Sequence, residues 1–226
     1  MLQALSHKQD EEAELEAVEA ALAGLSVRRS PLPRPPRHLL ILDVNGLLVD
    51  RLQQAAQTPA DLTYGGRYHV YDRPHVRDFV AWLLQRFRVA VWSSAQVHNV
   101  EPMVAHIFGA SASALRFVWG QDRCSIDGKV KLAGGRSKPR FLKELRLVYA
   151  AGHGTESSTC LVDDDEYKAV RNPPHTALHP RAYTVSEKDT DTELAERGTL
   201  RSLLAMMAEA PSIPAFVRAH GKKLER

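Results

Sequence analysis

A short apolar run at Leu39–Leu42 constrains the fold more than any other feature, because Asp43 follows it at once and Asn45 comes two residues later. Four apolar residues without polar alternation are typical of a strand buried on both faces, as in a parallel sheet covered by helices. A carboxylate that directly follows such a strand lies where open α/β sheets bind ligands. The dipeptide Asn45-Gly46 between two apolar runs is also a strong hairpin signal, so this stretch alone fits a hairpin equally well.

The same arrangement recurs twice further along the chain. The apolar run 89–92 ends in Ser93 and Ser94, and the apolar run 160–162 ends in three consecutive aspartates. Helical patterns separate the runs, and alternating strands and helices predict a doubly wound parallel α/β sheet with helices on both faces. Parallel strands point the same way, so we expect the polar residues that follow them to meet at one edge of the sheet.

Three amphipathic helices are predicted around these strands. Helices over about 74–87 and 97–108 follow from apolar residues that recur every three to four positions. Pro139 fits the first turn of a third helix, which would carry Lys143 among apolar residues. Small insertions are expected after the first strand and before this third helix, because the sequence there lacks a clear period.

Composition and charge divide the 226-residue chain into four segments. Residues 1–27 hold six acidic residues and one lysine, a net charge of −5, and predict an acidic amphipathic helix. Residues 28–37 carry four prolines and predict an extended linker rich in proline and arginine. Residues 38–210 would form the α/β domain, and residues 211–226 a basic tail.

The overall composition argues against several classes of function. A net charge of +3 is too small to predict direct nucleic-acid binding. No apolar run in the sequence has the length of a membrane span. The acidic N-terminus is unlike a signal or transit peptide. Two cysteines give no disulfide framework, so a reducing compartment is expected.

The residues expected at the sheet edge are those that phosphoryl transfer needs. Carboxylates that converge on one edge repel each other unless a cation joins them, and hard oxygen ligands favour Mg²⁺. A carboxylate can also act as a nucleophile and form an aspartyl-phosphate. A serine hydroxyl and a lysine ammonium group then stabilise the phosphoryl oxygens. The residue types therefore predict phosphoryl transfer through an aspartyl-phosphate.

The order of these motifs resembles that of the haloacid dehalogenase superfamily. The family's strand ending in Asp-x-Asp, its strand ending in Thr or Ser, its lysine motif and its final Asp-Asp motif are similar to LDVNG (42–46), VWSS (91–94), FLKEL (141–145) and LVDDD (161–165). The dipeptide Arg73-Pro74 before a helix fits as well. More closely, about 38–217 resembles the NLI-interacting-factor-like phosphatases, which act on the C-terminal repeats of RNA polymerase II. Plant and algal members are particularly similar.

The resemblance implies a nucleophile and a metal site. Asp43 would be the nucleophile and, with Asp164 and the backbone carbonyl of Asn45, would hold Mg²⁺. Asp163 would orient Lys143 or the waters of the metal, and so belongs to the implied metal site as well.

The resemblance also implies a phosphate site. Ser93 and Lys143 would bind the phosphoryl oxygens. Two alternatives stay open, because Ser94 neighbours Ser93 and Lys138 lies five positions before Lys143.

Asn45 departs from the family pattern, which has a second aspartate at this position. That aspartate gives a proton to the leaving group and then takes one from the hydrolytic water, which a carboxamide cannot do. General acid–base catalysis contributes about 10²- to 10⁴-fold in rate. Asp50 or Asp165 could substitute, or Asn45-Gly46 could deamidate to aspartate. The deamidation hypothesis fails if peptide mass analysis of an active sample finds only asparagine.

Three interpretations follow from this departure. The first is a Mg²⁺-dependent phosphoserine/threonine protein phosphatase of reduced activity, nuclear or cytoplasmic, with a phosphoprotein substrate such as the RNA polymerase II repeats. The second is a catalytically inactive pseudophosphatase that binds phosphoproteins. The third is a mitochondrial import component, because the resemblance extends to the presequence-receptor subunit of the inner-membrane translocase.

Overall fold

The computed structural model describes residues 37–131, 135 and 137–224. The helix expected over 1–27 and all but the last residue of the linker 28–37 lie outside the described residues. In chain order the strands are β1 (Leu39–Leu42), β2 (Val49–Leu52), β3 (Leu62–Tyr64), β4 (Tyr68–Asp72), β5 (Arg88–Trp92), β6 (Val118–Trp119), β7 (Ser125–Lys131), β8 (Ser137–Leu142), β9 (Thr159–Val162) and β10 (Ala177–Leu178). The α-helices are α1 (Val76–Leu84), α2 (Val97–Phe108), α3 (Leu145–Ala150), α4 (Thr199–Ala208) and α5 (Ile213–His220).

The central sheet has five parallel strands in the order β10-β9-β1-β5-β6. Its middle strand is β1, whose four side chains are all buried. The apolar run that follows Asn45-Gly46 does not fold back on β1, because β2 pairs with β4 instead. The run at Leu39–Leu42 is therefore a strand of a parallel sheet, and the hairpin interpretation of this stretch is wrong.

Side chains of β1 alternate between the two faces of the sheet. Leu40 and Leu42 belong to an apolar cluster that includes buried residues of α1, α2, α4 and α5. Leu39 and Ile41 belong to a second cluster with the buried residues of α3. Helices cover both faces of the sheet, and this confirms the predicted doubly wound α/β architecture.

Two antiparallel elements lie outside the central sheet. The strands β2, β4 and β3 form a three-stranded sheet in the chain between β1 and α1. The strands β7 and β8 pair with each other between β6 and α3. They occupy the two stretches where the sequence predicts small insertions.

The helix predicted from Pro139 is wrong. Pro139 lies in β8, which runs antiparallel to β7, and α3 begins only at Leu145. A two-stranded ribbon has two edges, so a proline can lie in it without breaking a ladder on both sides. Lys143 therefore lies between a strand and a helix and not on a helix face.

The end of the chain also differs from the expected basic tail over 211–226. This segment contains α5, whose Ile213 is 0% exposed and whose Val217 is buried against the same apolar cluster as α4. Most of the segment thus belongs to the folded body. Among the described residues, none of the helices combines the length and the apolar character that crossing a membrane requires.

Candidate functional site

Three carboxylates meet at the carboxyl ends of β1 and β9. Asp43 follows β1, and Asp163 and Asp164 follow β9, which pairs with β1 in parallel so that Leu42 lies beside Val162. One oxygen atom from each of the three carboxylates lies within 4.8 Å of the others. Asp43 and Asp163 are buried, at 2% and 0% exposure. The structure thus brings together the acids that the sequence places at one sheet edge.

Lys143 supplies a positive charge to these carboxylates. Its ammonium group donates a hydrogen bond to Asp163 Oδ2 at 2.5 Å and lies 3.1 Å from Asp43 Oδ1. The side chain is 0% exposed. Lys138, the alternative phosphate lysine, lies on β8 and is exposed. Lys143 is therefore the one of the two that reaches the carboxylates.

A distant side chain holds the backbone around Lys143. Asn172 Nδ2 donates to the carbonyl of Lys143 at 2.8 Å, and Asn172 Oδ1 accepts the N–H of Leu145 at 2.8 Å. Glu144, which precedes α3, makes no side-chain capping bond to the helix. Asn172 therefore acts as the cap of α3 from outside the helix.

Lys168 also lies among these carboxylates, although no sequence motif singled it out. Its ammonium group donates to Asp43 Oδ2 at 2.6 Å and to Asp163 Oδ1 at 2.8 Å. The same nitrogen lies 3.2 Å from Asp165 Oδ2 and 3.9 Å from Asp164 Oδ1. We call these four aspartates, with Lys143 and Lys168, the carboxylate cluster. The run of three aspartates that begins at Asp163 is an indirect sequence signal for Lys168. Buried acids need a cation nearby, and this lysine follows Asp163 by five positions.

The two lysines control the protonation of Asp43. Burial alone would raise the pKa of Asp43, but the charges of Lys143 and Lys168 outweigh burial and hold this pKa well below its ordinary value. Burial would likewise lower the pKa of Lys168, but the charges of Asp43 and Asp163 outweigh it and raise that pKa. Asp43 is therefore an ionised carboxylate at neutral pH.

Asp164 behaves differently from Asp43. Burial, and after it the negative charge of Asp43, raise the pKa of Asp164 to about 7. Its Oδ1 atom is buried and has no hydrogen-bond partner within the described part of the chain. A buried acceptor without a partner is uncommon in proteins and indicates a place for an ion or a water molecule.

The cluster therefore fits a divalent cation bound through oxygen. Carboxylate oxygens at this spacing are the hard ligands that Mg²⁺ prefers. Gly46, with φ of 85°, lets Asp164 approach the loop after β1, because a Cβ atom at this position would overlap with Asp164 Oδ2. The geometry and the donor chemistry agree with the Mg²⁺ that the sequence predicts.

Ser93 follows β5, which pairs with β1 in parallel, and so lies at the same sheet edge as Asp43. It is 2% exposed, and its Oγ accepts the N–H of Ala95 at 3.2 Å. The hydroxyl proton can still be donated to a phosphate oxygen. Ser94 is more exposed and stays the alternative.

Asn45 closes the turn between β1 and β2. Its side chain is exposed, and its Oδ1 accepts the N–H of Arg51 at 2.7 Å. The N–H of Gly46, whose nitrogen would attack the side chain in deamidation, donates to the carbonyl of Val49 at 2.8 Å. Both groups that deamidation joins are therefore engaged in other hydrogen bonds.

The two acids considered as substitutes for the missing aspartate lie in different surroundings. Asp50 accepts the N–H of Val185, and within the described residues its hydrogen bond does not join it to the carboxylate cluster. Asp165 contacts Lys168 in the cluster and has 43% of its side chain exposed. Of the two acids, Asp165 is thus the one that contacts a lysine bound to Asp43.

A second buried charge site joins Arg73 and Asp191. The guanidinium group donates two hydrogen bonds to the carboxylate, at 2.9 and 2.8 Å, and a third to the carbonyl of Leu47 at 3.1 Å. The side chains are 1% and 2% exposed. The Arg73-Pro74 motif therefore ties the start of α1 to the chain before α4 and forms part of the framework.

Comparison with known proteins identifies a family for this chain. The model of the NLI interacting factor-like phosphatase family matches residues 38–213. An uncharacterised FCP1 homology domain-containing protein of Schizosaccharomyces pombe is 26% identical over 147 residues, which are 61% of this chain and 58% of that protein. A putative CTD phosphatase-like protein of Invertebrate iridescent virus 3 is 22% identical over 179 residues, which are 70% of this chain and 91% of that protein.

Two solved structures also align with this chain. Fcp1, an essential RNA polymerase II CTD phosphatase, aligns with a TM-score of 0.49 and 12% identity over 80% of this chain and 56% of its own. Fission yeast Fcp1 bound to beryllium fluoride aligns with a TM-score of 0.48 and 11% identity over 81% of this chain and 54% of its own. This chain thus spans little more than half the length of the S. pombe relative and of the two structures.

Proposed function

The chain belongs to the NLI interacting factor-like phosphatase family, and we propose that it is a Mg²⁺-dependent phosphoserine/threonine protein phosphatase that acts through an aspartyl-phosphate. One observation carries this proposal: the Asp43 carboxylate, at the end of the middle strand, lies within reach of both the Lys143 ammonium group and the Asp164 carboxylate. Phosphoryl transfer to a carboxylate needs a nucleophile, a cation for the phosphate and acidic ligands for a metal.

Asp43 is the nucleophile in this proposal, because its low pKa keeps it ionised. The carboxylate attacks phosphorus, the bond from phosphorus to the serine or threonine oxygen breaks, and the released alkoxide takes up a proton. Water then attacks the aspartyl-phosphate, giving inorganic phosphate and the original carboxylate. Lys143 and Ser93 hold the non-bridging oxygens, where negative charge must be stabilised.

Asp43, Asp164 and the backbone carbonyl of Asn45 would hold Mg²⁺. When bound there, the metal would neutralise negative charge on the phosphoryl group. Asp163 accepts hydrogen bonds from two lysine ammonium groups, at 2.5 and 2.8 Å, so we assign it the orientation of Lys143.

The proton transfers are the weak part of this site. Asn45 stands where the family has an acid, and it can neither give nor take the proton. We therefore propose that turnover is about 10²- to 10⁴-fold slower than with an aspartate. Asp165 is the acid that we propose as a partial substitute, because it contacts the carboxylate cluster and is half-exposed.

A groove of about 810 Å³ begins at Asp164 and supports a protein substrate. It is lined by residues 172–182 and by part of α5 with the turn after it, including the exposed Arg218 and Lys222. Its volume suits a peptide segment, and cations such as Arg218 and Lys222 suit a phosphorylated one. We propose phosphoproteins such as the RNA polymerase II C-terminal repeats as substrates and a nuclear or cytoplasmic location, without direct nucleic-acid contact.

A second candidate function is a pseudophosphatase that binds phosphoproteins without turnover. It is favoured by Asn45 and by the hydrogen bond of Lys168 to Asp43, which occupies the nucleophile. A mitochondrial import role, the third interpretation, has no support from the relatives described above.

Activity measurements on three chains test the proposal. Wild type, Asn45→Asp and Asp43→Asn are assayed with Mg²⁺ on p-nitrophenyl phosphate and on phosphoserine peptides. We expect slow turnover by wild type, a gain of about 10²- to 10⁴-fold for Asn45→Asp and background for Asp43→Asn. Asp122→Asn, with 59% of its side chain exposed, is the matched control and should equal wild type.

The outcomes separate the candidates. Turnover by Asn45→Asp alone would support the pseudophosphatase, whose phosphopeptide binding should also survive Asp43→Asn. Inactivity of all chains, or full activity of Asp43→Asn, would contradict the phosphatase proposal.

A further inference from the structure

Lys168 lies where a cation of the carboxylate cluster is needed. Its ammonium group contacts Asp43, Asp163 and Asp165 within 3.2 Å and Asp164 at 3.9 Å, and its side chain is only 5% exposed. Lysine is a compact point charge that pairs with several oxygens at once. This geometry places a lysine ammonium group among the acids that would also hold the proposed Mg²⁺.

The contacts of Lys168 leave Asp43 fully engaged. Asp43 Oδ1 accepts the N–H of Val44 at 2.7 Å and lies 3.1 Å from the Lys143 nitrogen. Asp43 Oδ2 accepts from Lys168 at 2.6 Å. Each oxygen of the nucleophile thus has a cation beside it, and a metal ion that binds Asp43 Oδ2 would compete with the Lys168 ammonium group for this oxygen.

The surroundings of Lys168 allow such a release, and those of Lys143 do not. Lys168 lies in a short 3₁₀ turn at Glu166–Ala169, and Asp165 beside it is half-exposed, so the ammonium group can turn toward Asp165 and stay paired. Lys143 is 0% exposed, and among the described residues its ion pairs are with the buried Asp43 and Asp163 alone.

We propose that Lys168 is a resident cation of the cluster, which a divalent cation displaces from Asp43 and Asp164 toward Asp165. Metal binding then moves the Lys168 ammonium group off Oδ2 of the nucleophile. Asp164 Oδ1, which has no hydrogen-bond partner among the described residues, is the ligand that this exchange satisfies. The inference rests on the proposed function for the identity of the cation only, and its test measures binding without turnover.

Calorimetric titration with Mg²⁺ tests the displacement. Lys168→Met should bind Mg²⁺ at least about tenfold more tightly than wild type, because no cation has to move. Lys143→Met is the matched control: it removes the same charge from the cluster, but its ammonium group is not on Asp43 Oδ2, so we expect a smaller gain. Lys188→Met, far along the chain in a surface pair with Asp61, should bind as wild type does.

Equal gains for Lys168→Met and Lys143→Met would mean that net charge alone sets the affinity and would overturn the proposal. It would also fail if Lys168→Met bound Mg²⁺ no more tightly than wild type, or if neither chain bound it. These outcomes do not depend on catalysis, so they are separate from failure of the phosphatase assay.

A measurement on wild type tests the displacement of Lys168 even if Lys168→Met does not fold. Buried ammonium protons exchange slowly with water and give NMR signals from ¹⁵N-labelled lysine. On addition of Mg²⁺ we expect exchange at Lys168 to become at least about tenfold faster, while Lys143 stays protected. Saturation with Mg²⁺ without any change at Lys168 would overturn the proposal.

Discussion

The two buried charge sites of this protein differ in how completely their charges are paired. Arg73 and Asp191 form a closed pair, in which one guanidinium group meets one carboxylate through two hydrogen bonds. In the described part of the carboxylate cluster, four carboxylates lie within 3.9 Å of two ammonium groups. A closed pair has no charge left to attract a ligand, whereas a surplus of negative charge can bind a cation. The balance of charge thus distinguishes the Arg73–Asp191 pair, which is part of the framework, from the carboxylate cluster, which can bind a ligand.

Breaking the closed pair should have the largest effect on stability. Asp191→Asn leaves the Arg73 guanidinium group buried without a counter-charge, and we expect the free energy of unfolding to fall by about 3–5 kcal/mol. Urea denaturation at pH 7 measures this change. The control Arg77→Met removes an arginine that is 58% exposed in its pair with Asp72 and should cost under about 1 kcal/mol. Equal losses of unfolding free energy for the two variants would contradict the difference between a buried and an exposed pair.

Replacing Asp164 with asparagine should raise the free energy of unfolding, whereas the same replacement at Asp191 lowers it. Its pKa is raised from 3.8 to about 7, so between those values the folded protein keeps a proton that the unfolded chain has lost. Stability of the metal-free wild type therefore falls as pH rises from about 4 to about 7. Asp164→Asn removes this penalty, and we expect a gain of roughly 1–2 kcal/mol at pH 8 and none at pH 4.

Urea denaturation in EDTA at both pH values measures the effect at Asp164. Asp122→Asn, an exposed control, should change stability at neither pH. A loss of stability at pH 8 would mean that Asp164 is satisfied in the metal-free protein and would remove the distinction between the two charge sites.

The smallest effect is expected at a partly exposed pair, in which the Lys188 ammonium group donates to Asp61 Oδ2 at 2.8 Å. Burial would raise the pKa of Asp61, but the hydrogen bonds from Lys188 and from the Asp72 N–H, together with the charge of Lys188, outweigh burial and lower this pKa. The stabilising effect of the pair is thus present above about pH 4 and is lost as the pH falls through the lowered pKa. Asp61→Asn should lower the melting temperature slightly at pH 7 and less at pH 2.5. A decrease in melting temperature as large as that caused by Asp191→Asn would contradict this ranking.

Much of the candidate site was predictable because most of its residues directly follow a strand. Asp43, Ser93 and Asp163 each follow a short apolar run, and parallel pairing brings such ends to one edge. The resemblance to the phosphatase family singled out Lys143, which has no strand of its own. Periodicity also predicted α1 and α2, since their apolar faces pack on the sheet.

Two features were not predictable from local pattern. Pro139 and the apolar residues after it match the start of a helix, but pairing with β7, a long-range contact, makes this segment a strand. Lys168 lies in a polar run that is typical of an exposed turn, and only the fold of the turn after β9 brings it onto Asp43. Both errors arise where contacts distant in sequence override local preference.

The hydrogen bonds of Asn172 have a consequence for the order in which the site is made. During synthesis, Lys143 and the first turn of α3 leave the ribosome well before Asn172, so the acceptor of the Leu145 N–H does not yet exist. A six-residue helix is too short to be stable by itself. The backbone of Lys143 is therefore held by Asn172 only after β9 and its aspartates have been added, and a nascent chain that ends before residue 172 has Asp43 without these contacts around Lys143.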